Sequence, residues 1–171
     1  MNGYEFYPED GSTLYEEEAW ELSEQARSLW LRFTFAGEYS EDMSPVQIQG
    51  RKYLSMFPAR DGVYTIEQVR EKFLAVFSEE FTDKTLNAAI ASKDLLEYNG
   101  NVYAAYRKNK GKTSYNSWAD HVRDDGAGKF TVVMGVSMPP DGSTVYVELP
   151  TEKNVAGKFV FTDYPYWDRS E

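Results

Sequence analysis

The sequence contains no cysteine and only one histidine, His121, and both shortages limit the chemistry that it can perform. Without cysteine there is no disulfide bond, no thiolate nucleophile and no zinc site with thiolate ligands. A single histidine also excludes a metal site built from several imidazoles. We therefore expect neither a metal ion nor a cofactor.

Long apolar runs are missing as well. No stretch approaches the roughly 20 apolar residues that a membrane-spanning helix needs, so we predict no membrane insertion. The opening sequence, MNGYEFYPEDGST, has neither the basic nor the apolar segment of a secretory signal peptide. The sequence therefore predicts a protein that either stays where it is made or has lost a leader peptide.

Negative charge is concentrated in the N-terminal third. Residues 1 to 48 carry eleven acidic and two basic side chains, a net charge of −9, whereas the rest of the chain contributes −1 to the total of −10. Such a surface repels nucleic acid and anionic lipid and favours a basic partner. A solvated helix surface is the commoner explanation of acidic residues, and the sequence leaves both interpretations open. We expect no nucleic-acid partner.

The chain has the length of one domain, and we predict a single domain over residues 1 to 171 with a loose lead-in over residues 1 to 11. Thr13 and Glu16 form a capping-box pattern at the start of a first helix, and Gly37 is a suitable stop. An apolar seam at spacings of three and four predicts packing along this helix; its members are Tyr15, Ala19, Leu22, Ala26, Leu29 and Phe33. Trp20 and Trp30 lie off the seam and indicate either a wider buried stripe or an aromatic patch for a partner.

The central stretch, residues 57 to 106, carries the clearest start and stop signals. Thr65 with Gln68 forms a capping box, which predicts a helix beginning near Ile66. Thr82 with Asp83 indicates the cap of a second helix. The turn pair at residues 99 and 100, Asn-Gly, predicts a hairpin between strands at residues 95 to 98 and 102 to 106.

The remaining segments indicate a sheet. Residues 51 to 57 predict a strand, residues 38 to 50 a linker, and residues 114 to 122 a short helix or an irregular connection. Three β-rich runs follow at residues 130 to 136, 144 to 149 and 158 to 162, with turns at residues 138 to 142 and 150 to 157. These patterns predict an α+β fold, with the N-terminal helices packed on one face of a curved antiparallel sheet and a C-terminal β-meander.

Catalytic patterns are weak. His121 follows Asp120 and lies near Ser114 and Ser117, but no nucleophile-elbow motif is present. The sequence at residues 126 to 129, Gly-Ala-Gly-Lys, lacks the spacing of a phosphate-binding loop, and we interpret residues 124 to 129, DDGAGK, as a turn. We predict no catalytic residue and a protein that is not an enzyme.

Two charged segments are the candidates for partner binding. The only basic cluster, RKNKGK at residues 107 to 112, follows the predicted hairpin, and Asp124 and Asp125 form an acidic pair on the turn predicted over residues 124 to 129. The carboxylate pair is suited to weak calcium binding, to acid-base chemistry, to insertion into the cleft of another protein, or to a simple turn. The candidate partner-binding residues are Lys108, Lys110, Lys112, Tyr115, Trp118, Asp124 and Asp125.

One family resemblance combines several of these elements. A strand ending near Tyr53, a helix started by Thr65, the Phe-Thr pair at residues 81 and 82, the Asn-Gly turn and the Val-Tyr pair at residues 102 and 103 follow in order. Together, over roughly residues 30 to 106, they resemble the IseA-type D,L-endopeptidase inhibitors of Firmicutes. All of these motifs are structural.

The resemblance implies a secreted, monomeric cell-wall protein that binds a bacterial cell-wall endopeptidase of the papain-like type and occludes its active-site cleft. The docking feature would then be either Asp124 with Asp125 or the acidic N-terminal helix. Two other classes stay open. One is a cone-shaped α+β domain with an aromatic-lined pocket for a small molecule or a substrate. The other is a structural or phage-associated interaction module.

Overall fold

A computed structural model of the chain describes residues 11–34, 44–106, 116–138 and 141–164. Three α-helices and eight strands lie in these ranges, which confirms the α+β class. The helices are α1 (Glu16–Thr34), α2 (Ile66–Leu74) and α3 (Glu79–Ser92). None of them combines the length and the apolar character needed to cross a membrane.

The strands form two antiparallel sheets of four strands each. The first sheet has the order β1-β2-β4-β3, with bounds β1 (Val46–Ile48), β2 (Arg51–Ser55), β3 (Leu95–Tyr98) and β4 (Asn101–Ala105). The second sheet is a meander in chain order, with bounds β5 (Asn116–Gly126), β6 (Lys129–Met138), β7 (Ser143–Lys153) and β8 (Phe159–Phe161). The predicted meander is therefore present, and it forms a sheet separate from the central hairpin.

The sheets and helices share one main hydrophobic core. Its buried members come from α1, α2, α3 and strands of both sheets, and α1 packs across β5. Short backbone hydrogen bonds join the α2–α3 connection to β8: the Ser78 amide donates to the Phe161 carbonyl at 2.8 Å, and the Phe161 amide donates to the Val76 carbonyl at 2.9 Å. The helical pair is thereby fixed to the edge of the second sheet.

An aromatic cluster fills the centre of this core. Phe77 is fully buried, and its ring centroid lies 4.9 to 6.2 Å from those of four other rings, namely Trp30, Phe73, Phe81 and Tyr164. The α1 seam faces this core as predicted, with Tyr15 and Phe33 half-buried at its ends. Of the two off-seam tryptophans, Trp30 widens the buried stripe and Trp20 is 52% exposed.

Several local predictions are confirmed. The helix α2 begins at Ile66, and Thr65 and Gln68 form both halves of the capping box. The hairpin of β3 and β4 turns at Asn99 and Gly100, whose φ angles are 48° and 74°, as its turn type requires.

Five other local predictions need correction. The cap of α3 is Ser78, which accepts a hydrogen bond from the Phe81 amide at 3.2 Å; Thr82 is already inside the helix and Asp83 pairs with Arg70. The segment at residues 114 to 122, interpreted as a helix or irregular, is strand from Asn116 onward. The predicted linker contains β1, and the helix α1 starts at Glu16, later than a Thr13 cap would place it.

The fifth correction concerns Pro150, which is predicted to lie in a turn but lies inside β7. It pairs with Thr131 of β6, and its carbonyl accepts a hydrogen bond from the Thr162 amide at 3.1 Å, although proline itself has no N–H to donate. The expected stop at Gly37 and residues 1 to 10 of the predicted lead-in lie outside the described residues.

Removal of the Thr65 hydroxyl tests the capping box. The Oγ1 atom of Thr65 accepts a hydrogen bond from the backbone N–H of Gln68 at 3.1 Å. We expect Thr65→Ala to lower the free energy of unfolding by about 1 kcal/mol, measured by urea denaturation. Thr65→Ser keeps the acceptor and should stay close to the wild-type value. Equal losses in both variants would show that the methyl group, rather than the cap, stabilises this site.

Candidate functional site

A groove of about 1020 Å³ lies where the N-terminus of α1 meets the β5–β6 hairpin. Five carboxylates line it, and no basic side chain does so among the residues that the structure describes; the acids are Glu16, Glu17, Glu18, Glu21 and Asp124. Its apolar floor is formed by Leu14, Val122 and Phe130. We refer to this feature, defined by these five acids and its floor, as the acidic groove.

Helix geometry explains why the acids gather on one wall. Glu16, Glu17 and Glu18 form the first turn of α1, where the positive end of the helix dipole stabilises negative charge. Glu21 follows Glu17 by four residues and therefore lies one turn further along the same side. The apolar side of α1 packs against the second sheet, so the glutamate side chains remain exposed at the rim of the groove.

The opposite wall comes from the second sheet. Val122 pairs with Val132, and Asp124 pairs with Phe130, so these residues share the face of the sheet that is turned toward α1. Beyond the groove, further along the helix, the Arg27 guanidinium of α1 donates a hydrogen bond to the Ser117 hydroxyl of β5 at 2.7 Å. The groove is thus held between two regular elements.

The two predicted acidic residues have different environments. Asp124 lines the groove, and its carboxylate accepts a hydrogen bond from the Gly126 amide at 2.9 Å. Asp125 lies on the other face of the sheet, where it accepts hydrogen bonds from the Thr131 hydroxyl and from Arg123, both at 2.6 Å. The Thr131 hydroxyl and, second, the Arg123 guanidinium hold the pKa of Asp125 below its ordinary value. The sequence pair therefore does not act as one acid-base unit.

Of the other predicted partner-binding residues, only Trp118 is among those that the structure describes, and it does not line the groove. Trp118 is half-buried on the face of β5 opposite to α1. Lys108, Lys110, Lys112 and Tyr115 lie outside the described residues. The glutamates of the groove were missed as individual site residues, although their position in the first turn of a predicted helix was a readable signal.

The structure places His121 in β5, next to Asp120. His121 Nδ1 lies 2.8 Å from the Asp120 carboxylate, so the two adjacent residues do form a pair. Ser117, however, faces α1 and accepts the hydrogen bond from Arg27, whereas His121 faces the other side of the sheet. Ser114 lies outside the described residues. The turn predicted over residues 124 to 129 is shorter than expected: Ala127 and Gly128 form it between β5 and β6, whereas Asp124 and Asp125 belong to β5.

Among the residues that the structure describes, no group of three or more carboxylate or imidazole side chains is arranged to hold a metal ion. The acids of the groove form a negative surface. A surface of this kind acts through long-range attraction of positive charge and through contacts with donors such as lysine and arginine.

Comparison with known proteins gave no assignment: no protein-family model matches the chain, and none of the curated proteins searched is similar to it.

Proposed function

We propose that this protein is a non-enzymatic inhibitor that binds papain-like peptidoglycan D,L-endopeptidases and occludes their active-site cleft through the acidic groove. The observation that carries the proposal is the position of Asp124 beside the first turn of α1. Two acidic features that are more than a hundred residues apart in the chain lie on one surface. The resemblance of the central stretch to IseA-type inhibitors supplies the target class.

Inhibition of this type needs shape and charge rather than reactive groups. The walls of the groove are a helix terminus and a β-hairpin, and the Arg27–Ser117 hydrogen bond joins α1 to β5 further along the helix. A rigid surface loses little conformational entropy on binding, so more of the contact energy appears as affinity. Five clustered carboxylates also accelerate association with a cleft that has a basic rim.

The packing of the interior supports an inhibitor over a small-molecule-binding domain. The space between α1 and the sheets is occupied by close-packed rings such as Phe73, Phe77 and Tyr164, each at most 2% exposed. The tyrosines of the β3–β4 hairpin lie elsewhere: Tyr98 is 44% exposed, and Tyr103 packs beside Tyr53 on the first sheet.

The proposal places the protein at the cell wall, as a monomer that meets its target outside the membrane. It assigns the contact to the five acids of the groove, including Asp124, and it gives no catalytic role to His121. The charge of the groove predicts that affinity falls as salt increases, because exposed charges are screened within about 10 Å at 0.1 M salt.

A direct test uses a purified papain-like D,L-endopeptidase and the whole chain. We expect calorimetry to detect a one-to-one complex at tens of micromolar or below, and we expect the complex to slow release of peptide fragments from peptidoglycan. A peptidoglycan hydrolase of a different catalytic class serves as the control and should retain its activity. Absence of heat and of inhibition with several such endopeptidases would reject the proposal.

A further inference from the structure

The face of the second sheet that is turned away from α1 carries two aromatic side chains on either side of a glycine. Trp118 of β5 and Tyr146 of β7 are both register partners of Gly135 in β6. Directly opposed residues share a face, so the three form one row across the sheet. Because neighbouring strands lie about 4.8 Å apart, the row spans about 10 Å.

Gly135 makes room for the indole of Trp118. A Cβ atom at Gly135 would lie 2.3 Å from Cε2 of Trp118 and 2.6 Å from Nε1, which is far inside contact distance. The indole therefore lies over the β6 backbone, where any residue other than glycine would displace it. The glycine has no turn to make at this position, so its role is to accommodate the ring.

Core packing does not account for these rings. Tyr146 is 63% exposed and Trp118 is half-buried, whereas Trp30 in the core is 2% exposed. Val133 lies in the next row of the same face and is 8% exposed. The row thus presents an apolar, aromatic surface to solvent at the centre of a regular sheet.

The charged groups beside the rings indicate what kind of ligand fits. Arg123 forms ion pairs with Glu148 and with Asp125, and His121 lies against Asp120. A cationic ligand would have to compete with the guanidinium that already lies between two carboxylates, and an anionic ligand would meet three acids. A neutral ligand rich in donors can instead bond to the carboxylate oxygens.

Two neutral classes stack on exposed aromatic rings, namely sugars and proline-rich peptides. Proline has no N–H, so a proline-rich segment offers mainly hydrogen-bond acceptors. The carboxylates of this surface are acceptors too, so the two match poorly. A pyranose ring has an apolar C–H face for the aromatic rings and hydroxyl groups at its edge that both donate and accept. The sugar matches the rings and the neighbouring charges together.

We propose that this face binds a neutral oligosaccharide, with sugar rings stacked on Trp118 and Tyr146 and with hydroxyl groups bonded to Glu148 and Arg123. The surface is on the opposite side of the sheet from the acidic groove. The inference therefore goes beyond the proposed inhibition and does not depend on it.

The test is titration of the whole chain with a tetramer of N-acetylglucosamine, with cellotetraose and with a proline-rich peptide, followed by saturation-transfer NMR and tryptophan fluorescence. We expect at least one sugar to bind and the peptide not to bind. Tyr146→Ser should weaken sugar binding by about tenfold, because one stacked ring is lost, and Tyr146→Phe should retain it. Trp20→Ser, which changes an exposed tryptophan on α1, is the matched control and should bind like the wild type.

Gly135→Ala gives a second, independent readout, since the added methyl group must move the indole. We expect a changed Trp118 fluorescence and weaker sugar binding, with circular dichroism showing a folded chain. No binding of either sugar at about 10 mM would overturn the proposal, as would binding of the peptide alone or an unchanged affinity in Tyr146→Ser. We expect sugar binding to survive reversal of the groove charges. A failure of the inhibitor proposal would therefore leave the sugar-binding result unchanged.

Discussion

Replacing Phe77 with alanine is expected to lower the free energy of unfolding by about 3 to 5 kcal/mol. The ring is fully buried and contacts four other rings of the aromatic cluster, so its loss removes apolar burial and leaves a cavity. The backbone around Phe77 also holds the α2–α3 connection against β8, which limits how far the site can collapse. Urea denaturation followed by far-UV circular dichroism measures the change.

Two control variants show whether the stability loss of Phe77→Ala comes from the buried ring. Phe77→Leu keeps much of the volume and should lose clearly less stability than Phe77→Ala. Trp20→Ala removes a larger ring from an exposed position and should change stability by no more than about 0.5 kcal/mol. A loss below about 1 kcal/mol in Phe77→Ala would mean that the aromatic cluster does not form the centre of the core.

Reversal of three groove charges should weaken the proposed complex with the endopeptidase by about a hundredfold. The variant carries Glu17→Lys, Glu21→Lys and Asp124→Lys, and each reversal contributes roughly 1 kcal/mol to the loss. The three side chains come from both walls of the groove, so the variant replaces attraction of a basic rim by repulsion. Calorimetry and the peptidoglycan-release assay measure the loss.

The matched control reverses three exposed acids outside the groove, Asp61, Glu71 and Glu152, and so makes the same change in net charge. Its affinity should stay within about threefold of wild type, because distant surface charges are screened by salt. Equal weakening in both variants would show that total charge, and not the groove, attracts the enzyme. Thermal unfolding of both proteins shows whether lysine in the first turn of α1 has destabilised the helix.

Local signals in the sequence were sufficient where one residue type satisfies one backbone requirement. Thr65 and Gln68 satisfy the amide groups at the start of α2, and Asn99 with Gly100 adopts the positive φ angles of a tight hairpin. These interactions involve neighbours in the chain, so no knowledge of the tertiary structure is needed. The apolar seam of α1 was readable for a related reason, since its period matches the helix.

The failures arose where tertiary contacts override local preference. The strand β5 has no clean alternation, because a bulge near Asp120 shifts its register against β6 and its outer face carries a mixture of charges and a tryptophan. Ser78 was missed as a cap although Glu79 and Glu80 follow it in the first turn of α3. Pro150 was assigned to a turn because proline usually ends a strand, but it is paired with Thr131 of β6 inside β7.

The sequence by itself determined the secondary-structure class, the main turns and the scarcity of reactive groups, since composition and short-range hydrogen bonding are properties of adjacent residues. Only the tertiary structure decided which charges act together. It placed Asp124 beside the first turn of α1, separated it from Asp125, and aligned Trp118, Gly135 and Tyr146 in one row. The physical reason is that strand register and helix packing set these distances, and both depend on contacts between residues far apart in the chain.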